Sequence, residues 1–135
     1  MKEVLTIRVE VTDNFNVEDE VGSVNMCLFG GTVDCDNFKG VILPSGVDTQ
    51  KDFKDSPHFT LSARYMLEGK DKEGQDCRIF IENNVAFEKG KPEGMSYTTP
   101  KVVTNSKALS YLETANLKGT IEPWEKGVII HILEE

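Results

Sequence analysis

Apolar residues recur at every second position over much of this chain. In residues 4–11, VLTIRVEV, the side chains of Leu5, Ile7, Val9 and Val11 alternate with polar or charged ones. Successive side chains of a β-strand point to opposite faces, whereas an α-helix repeats every 3.6 residues. The two-residue period therefore predicts a strand with one face buried in a core.

The same period appears in residues 58–68, HFTLSARYMLE, and in residues 77–85, CRIFIENNV. Tyr65 interrupts the apolar stripe of the first segment, and Asn83 ends the stripe of the second. Residues 127–133, GVIIHIL, are apolar on both sides, which suits a strand covered on both faces, for instance by another subunit.

Turn-forming segments separate these runs. Residues 68–75, EGKDKEGQ, carry two glycines between two alternating segments and predict a hairpin loop. Residues 88–94, EKGKPEG, predict a further turn. Such spacing divides the chain into many short strands.

Helical signals are weak throughout the sequence. Residues 106–115, SKALSYLETA, come nearest to a helix, but Tyr111 and Thr114 favour strands. Many short strands with few or no helices predict an all-β fold. We expect a closed antiparallel β-barrel of about eight strands, which forms a single domain over residues 1–135.

Composition excludes two classes of partner. The 135 residues include 23 acidic and 15 basic ones, giving a formal net charge of -8. The lysines and arginines do not cluster, so no phosphate-binding surface for nucleic acid is expected. No apolar run approaches the roughly 18 residues of a membrane span. The N-terminus lacks the layout of a signal peptide, which predicts a cytoplasmic location.

Metal and cofactor motifs are absent from the sequence. The cysteines, Cys27, Cys35 and Cys77, are odd in number and form no CxxC pair, so neither a disulfide framework nor a zinc site is expected. His58 and His131 stand far apart and outside any metal-binding motif. The chain also lacks a phosphate-binding loop, a dinucleotide fingerprint and a nucleophile elbow. We expect no metal and no cofactor.

Polar residues on a predicted inward face are the candidates for a binding site. Tyr65 and Asn83 are two such residues, although a buried tyrosine can serve the core alone and Asn83 can serve a turn. After the turn at residues 44–46, Asp48 and Gln50 share one side of any following strand. Either Asp48 accepts turn amides while Gln50 points to solvent, or both form the rim of a pocket.

Three stretches together resemble a known family. They are residues 30–50, GGTVDCDNFKGVILPSGVDTQ, residues 61–84, LSARYMLEGKDKEGQDCRIFIENN, and residues 98–100, TTP. In this order, over nearly the whole chain, they resemble the domain-of-unknown-function family three-two-three-seven. The resemblance implies a barrel of the allene-oxide-cyclase and dirigent type, with a central cavity and self-association.

The resemblance also assigns positions within this chain. The positions that match the family's pattern are Gly30, Gly31, Gly40, Pro44, Gly46, Asp48, Gln50, Arg64, Tyr65, Asn83, Thr99 and Pro100. The chain departs from the family at Thr49, where the family has tryptophan, at Ser62, where it has aspartate, and at residues 111–113, where it has Trp-Leu-Asn. The departures reduce the aromatic residues that could stack on a flat ligand. If the family binds a flat substrate, the resemblance implies a different ligand for this chain or weaker binding of the same one.

The candidate ligand-binding residues are Asp48, Gln50, Arg64, Tyr65, Asn83 and Thr99. Alternation places Arg64 on the face opposite Tyr65, so Arg64 reaches the site only if a β-bulge re-aims it. Otherwise it pairs with an acidic residue outside the barrel.

Three functions fit a barrel of this kind. The first is binding of a small molecule with isomerase-like or cyclase-like activity, by proton transfer or charge stabilisation. The second is non-catalytic binding of a small apolar metabolite, and the third is a structural barrel that acts through oligomerisation. A barrel fold hosts both of the first two, so the sequence does not separate them. We expect a homo-oligomer, either a dimer or a trimer.

Overall fold

The computed structural model describes residues 1–90 and 97–135, and the turn predicted for residues 88–94 lies in part outside them. Nine strands make up most of the described chain. They are β1 (Lys2–Glu18), β2 (Gly22–Asp34), β3 (Phe38–Ile42), β4 (Gly46–Phe53), β5 (His58–Asp71), β6 (Asp76–Glu88), β7 (Thr99–Thr104), β8 (Leu117–Trp124) and β9 (Gly127–Glu134). The described residues hold no α-helix, and none of their helical segments is long and apolar enough to cross a bilayer.

The strands form one antiparallel sheet, as predicted. Its order is β7-β6-β5-β3-β2-β1-β9-β8, and β4 pairs with β2 and β5 beyond the end of β3. The end strands approach each other where Thr98 and Gly119 exchange two backbone hydrogen bonds, each 2.9 Å long. A 3₁₀-helix at Ser110–Glu113 lies in the segment with the weak helical signal.

Residues 38–53 form two strands, β3 and β4, on either side of the turn expected at residues 44–46. Pro44 lies between these strands and has no amide hydrogen to donate to a sheet. The short β3 pairs with one end of β2, and β4 pairs with the other end. This division gives β4 its own place beside β5.

The alternating apolar residues form the core. Leu5, Ile7 and Val9 of β1 are buried, as are Leu67 of β5 and the Ile79 and Ile81 pair of β6. Each buried side chain of this size contributes about 1.5–3 kcal/mol through the hydrophobic effect.

Val11 differs from the rest of its predicted stripe. Its side chain is 41% exposed, because the pairing of β1 with β9 ends at Glu10 and Gly127. Beyond it, residues 13–18 of β1 pair only with β2, and this hairpin extends past the core.

Strand β9 has two apolar faces, as its sequence indicates. Ile130 and Ile132 are buried on the inner side, and Ile129 and Leu133 are half-buried on the outer side. Between the outer two, the His131 ring contacts Glu3 at 3.0 Å and Glu122 at 2.7 Å. The association of subunits predicted from this strand stays a prediction.

Candidate functional site

A cavity of about 250 Å³ lies on the inner side of the sheet. Side chains from β1, β2, β4, β5, β6, β8 and β9 line it, together with Thr98 just before β7. Most of these side chains are apolar. The polar groups among them belong to Cys27, Asp48, Gln50, Tyr65, Asn83 and Thr98.

Strand register places the polar groups in relation to one another. Asp48 of β4 is opposite Ala63 of β5, and Ala63 is opposite Asn83 of β6. Neighbouring strands lie about 4.8 Å apart, so about 9–10 Å separates the backbones of Asp48 and Asn83. The small Ala63 side chain between them leaves room for a ligand.

Only one of the two oxygens of the Asp48 carboxyl accepts a hydrogen bond from the described residues. Its Oδ2 accepts a hydrogen bond from Gln50 Nε2 at 3.2 Å, and Gln50 Oε1 in turn accepts one from Asn25 Nδ2 at 3.3 Å. Its Oδ1 is buried and has no hydrogen-bond partner among the described residues. Burial raises the pKa of Asp48, and the Gln50 hydrogen bond opposes this only in part.

The Asn83 amide is also half-satisfied. Its Nδ2 donates to Thr98 Oγ1 at 2.9 Å, while its Oδ1 is buried without a partner among the described residues. An unpaired buried polar group costs about 1–3 kcal/mol. Both of these unpaired acceptor atoms belong to residues that line the same cavity.

Tyr65 lies next to Ala63 on the same face of β5. Its ring packs edge-to-face on Phe29, with 5.4 Å between the centroids. No hydrogen bond of the described residues involves its hydroxyl group, and burial raises the pKa of Tyr65. The phenol therefore stays protonated at neutral pH and can donate a hydrogen bond into the cavity.

The Gly46 backbone explains how β4 approaches the cavity. A Cβ atom at this position would lie 2.4 Å from Phe29 Cε2, well inside contact distance. Because Gly46 has none, β4 packs directly against the Phe29 ring. Two and four residues later, Asp48 and Gln50 point to the same side.

The structure brings four of the six predicted site residues together. Asp48, Gln50, Tyr65 and Asn83 all line the cavity. This arrangement matches the pocket interpretation of Asp48 and Gln50 rather than the solvent-facing one.

Arg64 and Thr99 lie outside the cavity, and this placement corrects both assignments. Arg64 is on the outer face, where its Nε contacts Glu82 Oε2 at 3.3 Å, and the β5 register shows no bulge beside it. Thr99 is exposed, and Thr98 takes the inward position instead. In both cases the strict alternation of a strand decides which neighbour faces inward.

Two departures from the family's pattern, Thr49 and Ser62, lie on the outside of the sheet. Thr49 and Ser62 are paired with each other and lie on the face opposite Asp48 and Ala63. An aromatic ring at position 49 would therefore not stack on a ligand in the cavity. The implied weakening of ligand binding through Thr49 does not follow from this geometry.

Ala63, Cys27 and Thr98 line the cavity although the sequence does not single them out. Ala63 and Cys27 fit ordinary apolar positions, and the TTP motif does not show which of its two threonines faces inward. The alternation that found Tyr65 also predicts Ala63, but nothing in the sequence marks a small residue as the floor of a cavity. Within the described ranges, no group of three or more His, Cys, Asp or Glu residues is arranged to hold a metal ion.

Several solved structures share this fold. A protein with unknown function from Clostridium acetobutylicum ATCC 824 is 25% identical, with a TM-score of 0.76 over 97% of this chain and 95% of the other. A beta-barrel like protein from Acinetobacter baumannii AYE is 17% identical, with a TM-score of 0.72 over 97% and 92%. An enzyme from Penicillium herquei is 13% identical, with a TM-score of 0.65 over 98% and 92%.

No curated protein matches the chain in sequence. The family described as "Protein of unknown function (DUF3237)" matches residues 1–134, which is nearly the entire length. The chain belongs to this family, as the resemblance of its motifs implied.

Proposed function

We propose that this protein encloses a small apolar molecule in a closed β-barrel and moves a proton on it, as isomerases and cyclases do. The observation that carries the proposal is the Asp48 carboxyl, which has one buried oxygen without a partner on the wall of an apolar cavity. An unpaired carboxyl oxygen in an apolar cavity lowers the stability of the fold. A titratable group kept in such a place is therefore a candidate for a role in binding or catalysis.

The cavity is suited to a ligand of one or two rings. Its volume of about 250 Å³ is below that of most sites for drug-sized molecules. A dry apolar cavity of about 150 Å³ is large enough for benzene. The two hydrogen bonds between Thr98 and Gly119 support closure of the sheet around this space. Barrels of about eight strands enclose one small ligand in this way.

The polar groups support acid–base chemistry. Burial raises the pKa of Asp48, so its carboxylate is a stronger base than that of an exposed aspartate and can accept a proton and return it. The protonated Tyr65 hydroxyl can stabilise a developing negative oxygen. Keto–enol isomerisation and aldol-type ring closure of carbonyl compounds both require such a transfer. The enzyme from Penicillium herquei supports the compatibility of this fold with catalysis.

The proposal is tested with 2-tetralone, a two-ring ketone with exchangeable hydrogens next to its carbonyl. We expect the protein to accelerate the exchange of these hydrogens for deuterium in deuterium oxide. Proton NMR measures the rate of exchange. The Asp48→Asn variant should lose this acceleration by about 10²–10⁴-fold, the usual contribution of a general base. Tyr65→Phe should lower it while leaving the melting temperature unchanged.

Asp52→Asn is the matched control. Asp52 lies on the same strand and receives the same substitution, but it is outside the cavity and pairs with Lys89 at 2.8 Å. This variant should keep the full rate. Equal rates for the wild type and Asp48→Asn would contradict the catalytic role of Asp48. Binding of 2-tetralone without exchange would favour a non-catalytic binding protein.

A further inference from the structure

We propose that the ligand of this cavity is an uncharged ring compound with a hydroxyl group, which donates its hydrogen to Asn83 Oδ1. This inference rests on the proposed function and specifies the class of molecule that the same cavity accepts. It makes Asn83 the residue that determines specificity, separately from the proton transfer assigned to Asp48.

The described residues that line the cavity include no cationic side chain, and this excludes anionic ligands. No lysine, arginine or histidine is among the described residues that line the cavity. A carboxylate or phosphate would lose its hydration there without gaining an opposite charge, and Asp48 would repel it when ionised. An ammonium group would have only the single Asp48 carboxyl on a mostly apolar wall to offset its lost hydration, and burying such an ion pair costs more than it gains unless further hydrogen bonds complete it. The ligand that fits is therefore uncharged.

The Asn83–Thr98 pair sets the direction of the hydrogen bond. The Asn83 Nδ2 group donates to Thr98 Oγ1 at 2.9 Å, and Thr98 is 3% exposed. Asn83 Oδ1 is left as a buried acceptor without a partner among the described residues. An acceptor is satisfied only by a donor, and the hydroxyl group is the neutral donor that an apolar ring most simply carries. A ligand that lacks it leaves Oδ1 unpaired.

The row Asp48–Ala63–Asn83 gives the ring its position. Ala63 is the smallest side chain of the three, and it lies between the two polar ones. Leu61 and Tyr65 flank it on the same face of β5. A flat ring lying over Ala63 contacts the Leu61 side chain and the Tyr65 ring and directs a hydroxyl substituent at Asn83.

The test uses three probes of one ring system: naphthalene, 2-naphthol and 2-naphthoate. Binding to the full chain is measured at neutral pH by equilibrium dialysis with fluorescence detection of the free probe. We expect 2-naphthol to bind about tenfold more tightly than naphthalene, the effect of one net hydrogen bond. We expect 2-naphthoate not to bind measurably.

Two variants at neighbouring positions locate the effect. Asn83→Leu should bind 2-naphthol and naphthalene equally well, and its retained naphthalene binding shows that the cavity is folded. Asn84→Leu is the matched control, since Asn84 lies on the outer face and bonds to Ser62 and Glu82. It should keep the wild-type preference. Ala63→Leu, which fills the space over the row, should abolish binding of both probes.

The outcomes separate this inference from the proposed function. Equal wild-type binding of naphthalene and 2-naphthol, or binding of 2-naphthoate as tight as that of 2-naphthol, would overturn the inference while leaving a cavity that binds apolar molecules. Persistence of the preference in Asn83→Leu would overturn the role of Asn83. Failure of all three probes to bind, or binding unaffected by Ala63→Leu, would overturn both. If Asn83→Leu does not fold, the ranking of the three probes by the wild type decides.

Discussion

Among single residues, Asp48 combines the least favourable environment with the most useful chemistry. Its carboxyl lies on an apolar wall, and only Gln50 donates a hydrogen bond to it among the described side chains. Burial disfavours the charged form of the group and raises its pKa. A residue kept only for stability would not be placed there, because an amide of the same shape has no charge to bury.

Replacing Asp48 by asparagine should therefore stabilise the protein at neutral pH. The folded-state pKa lies above the unfolded one, so the native state binds protons more readily and the penalty of the carboxylate grows as the pH rises through this window. The gain of Asp48→Asn should be full above the folded-state pKa and disappear toward about pH 4, near the pKa of an unfolded aspartate. Urea unfolding of both proteins across this pH range measures it. A variant less stable than the wild type at neutral pH would show that Asp48 supports the fold instead.

Among the elements, β4 is the strand whose position determines the site. It carries Asp48 and Gln50, and it approaches the core because Gly46 packs without a side chain against the Phe29 ring. The Phe29 ring also packs edge-to-face on the Tyr65 ring of β5. One glycine thus holds β4, β2 and β5 at the spacing that forms the cavity.

Gly46→Ala should destabilise the protein by about 1–3 kcal/mol, the usual effect of overpacking a core. Gly30→Ala is the matched control, since a Cβ atom there has nothing within 4 Å, and its effect should stay within about 0.5 kcal/mol. Thermal and urea unfolding measure both changes. Equal stability of the two variants would show that the Phe29 ring moves aside freely and does not fix β4.

Alternation along single strands made much of this site predictable from the sequence. It placed Asp48 beside Gln50 on one face and Tyr65 on the inward face of β5. It also indicated that Arg64 lies outside unless a bulge intervened, and no bulge is present there. Which of Thr98 and Thr99 faces inward was harder to predict. The short strand that follows has too few apolar residues to show which alternate positions are buried.

At the scale of the whole molecule, the pairing between strands was not predictable. β4 lies between β2 and β5, and β3 pairs with the same two strands farther along, so residues distant in sequence meet in one row. The alignment of Asp48, Ala63 and Asn83 in one row depends on this register, which no local pattern specifies. The existence of the cavity is likewise a property of the assembled sheet.

The outer surface supports the prediction of a homo-oligomer. Phe15 is 57% exposed and Val17 68% exposed on one side of the extended β1–β2 hairpin, and Ile129 is half-buried on the outer face of β9. Exposed apolar groups of this kind often mark contacts between proteins. We expect light scattering at micromolar concentration to give the mass of a dimer or trimer. A monomer mass would contradict the prediction.

Two variants distinguish the surfaces that could form this contact. Ile129→Glu should dissociate the oligomer if the outer face of β9 forms the interface. Phe15→Glu should do so if the hairpin forms it. Neither side chain lines the cavity, so both variants should keep the binding of 2-naphthol.

The most direct test of a ligand-binding cavity is a high-resolution crystal structure of the protein grown with 2-naphthol. We predict ordered density for the ring over Ala63, with its oxygen within hydrogen-bonding distance of Asn83 Oδ1 and with the Asp48 carboxyl at the cavity wall. A cavity closed by its own side chains, with Asp48 turned outward and the probe absent or bound on the surface, would contradict the claim that this protein acts on a small molecule inside the sheet.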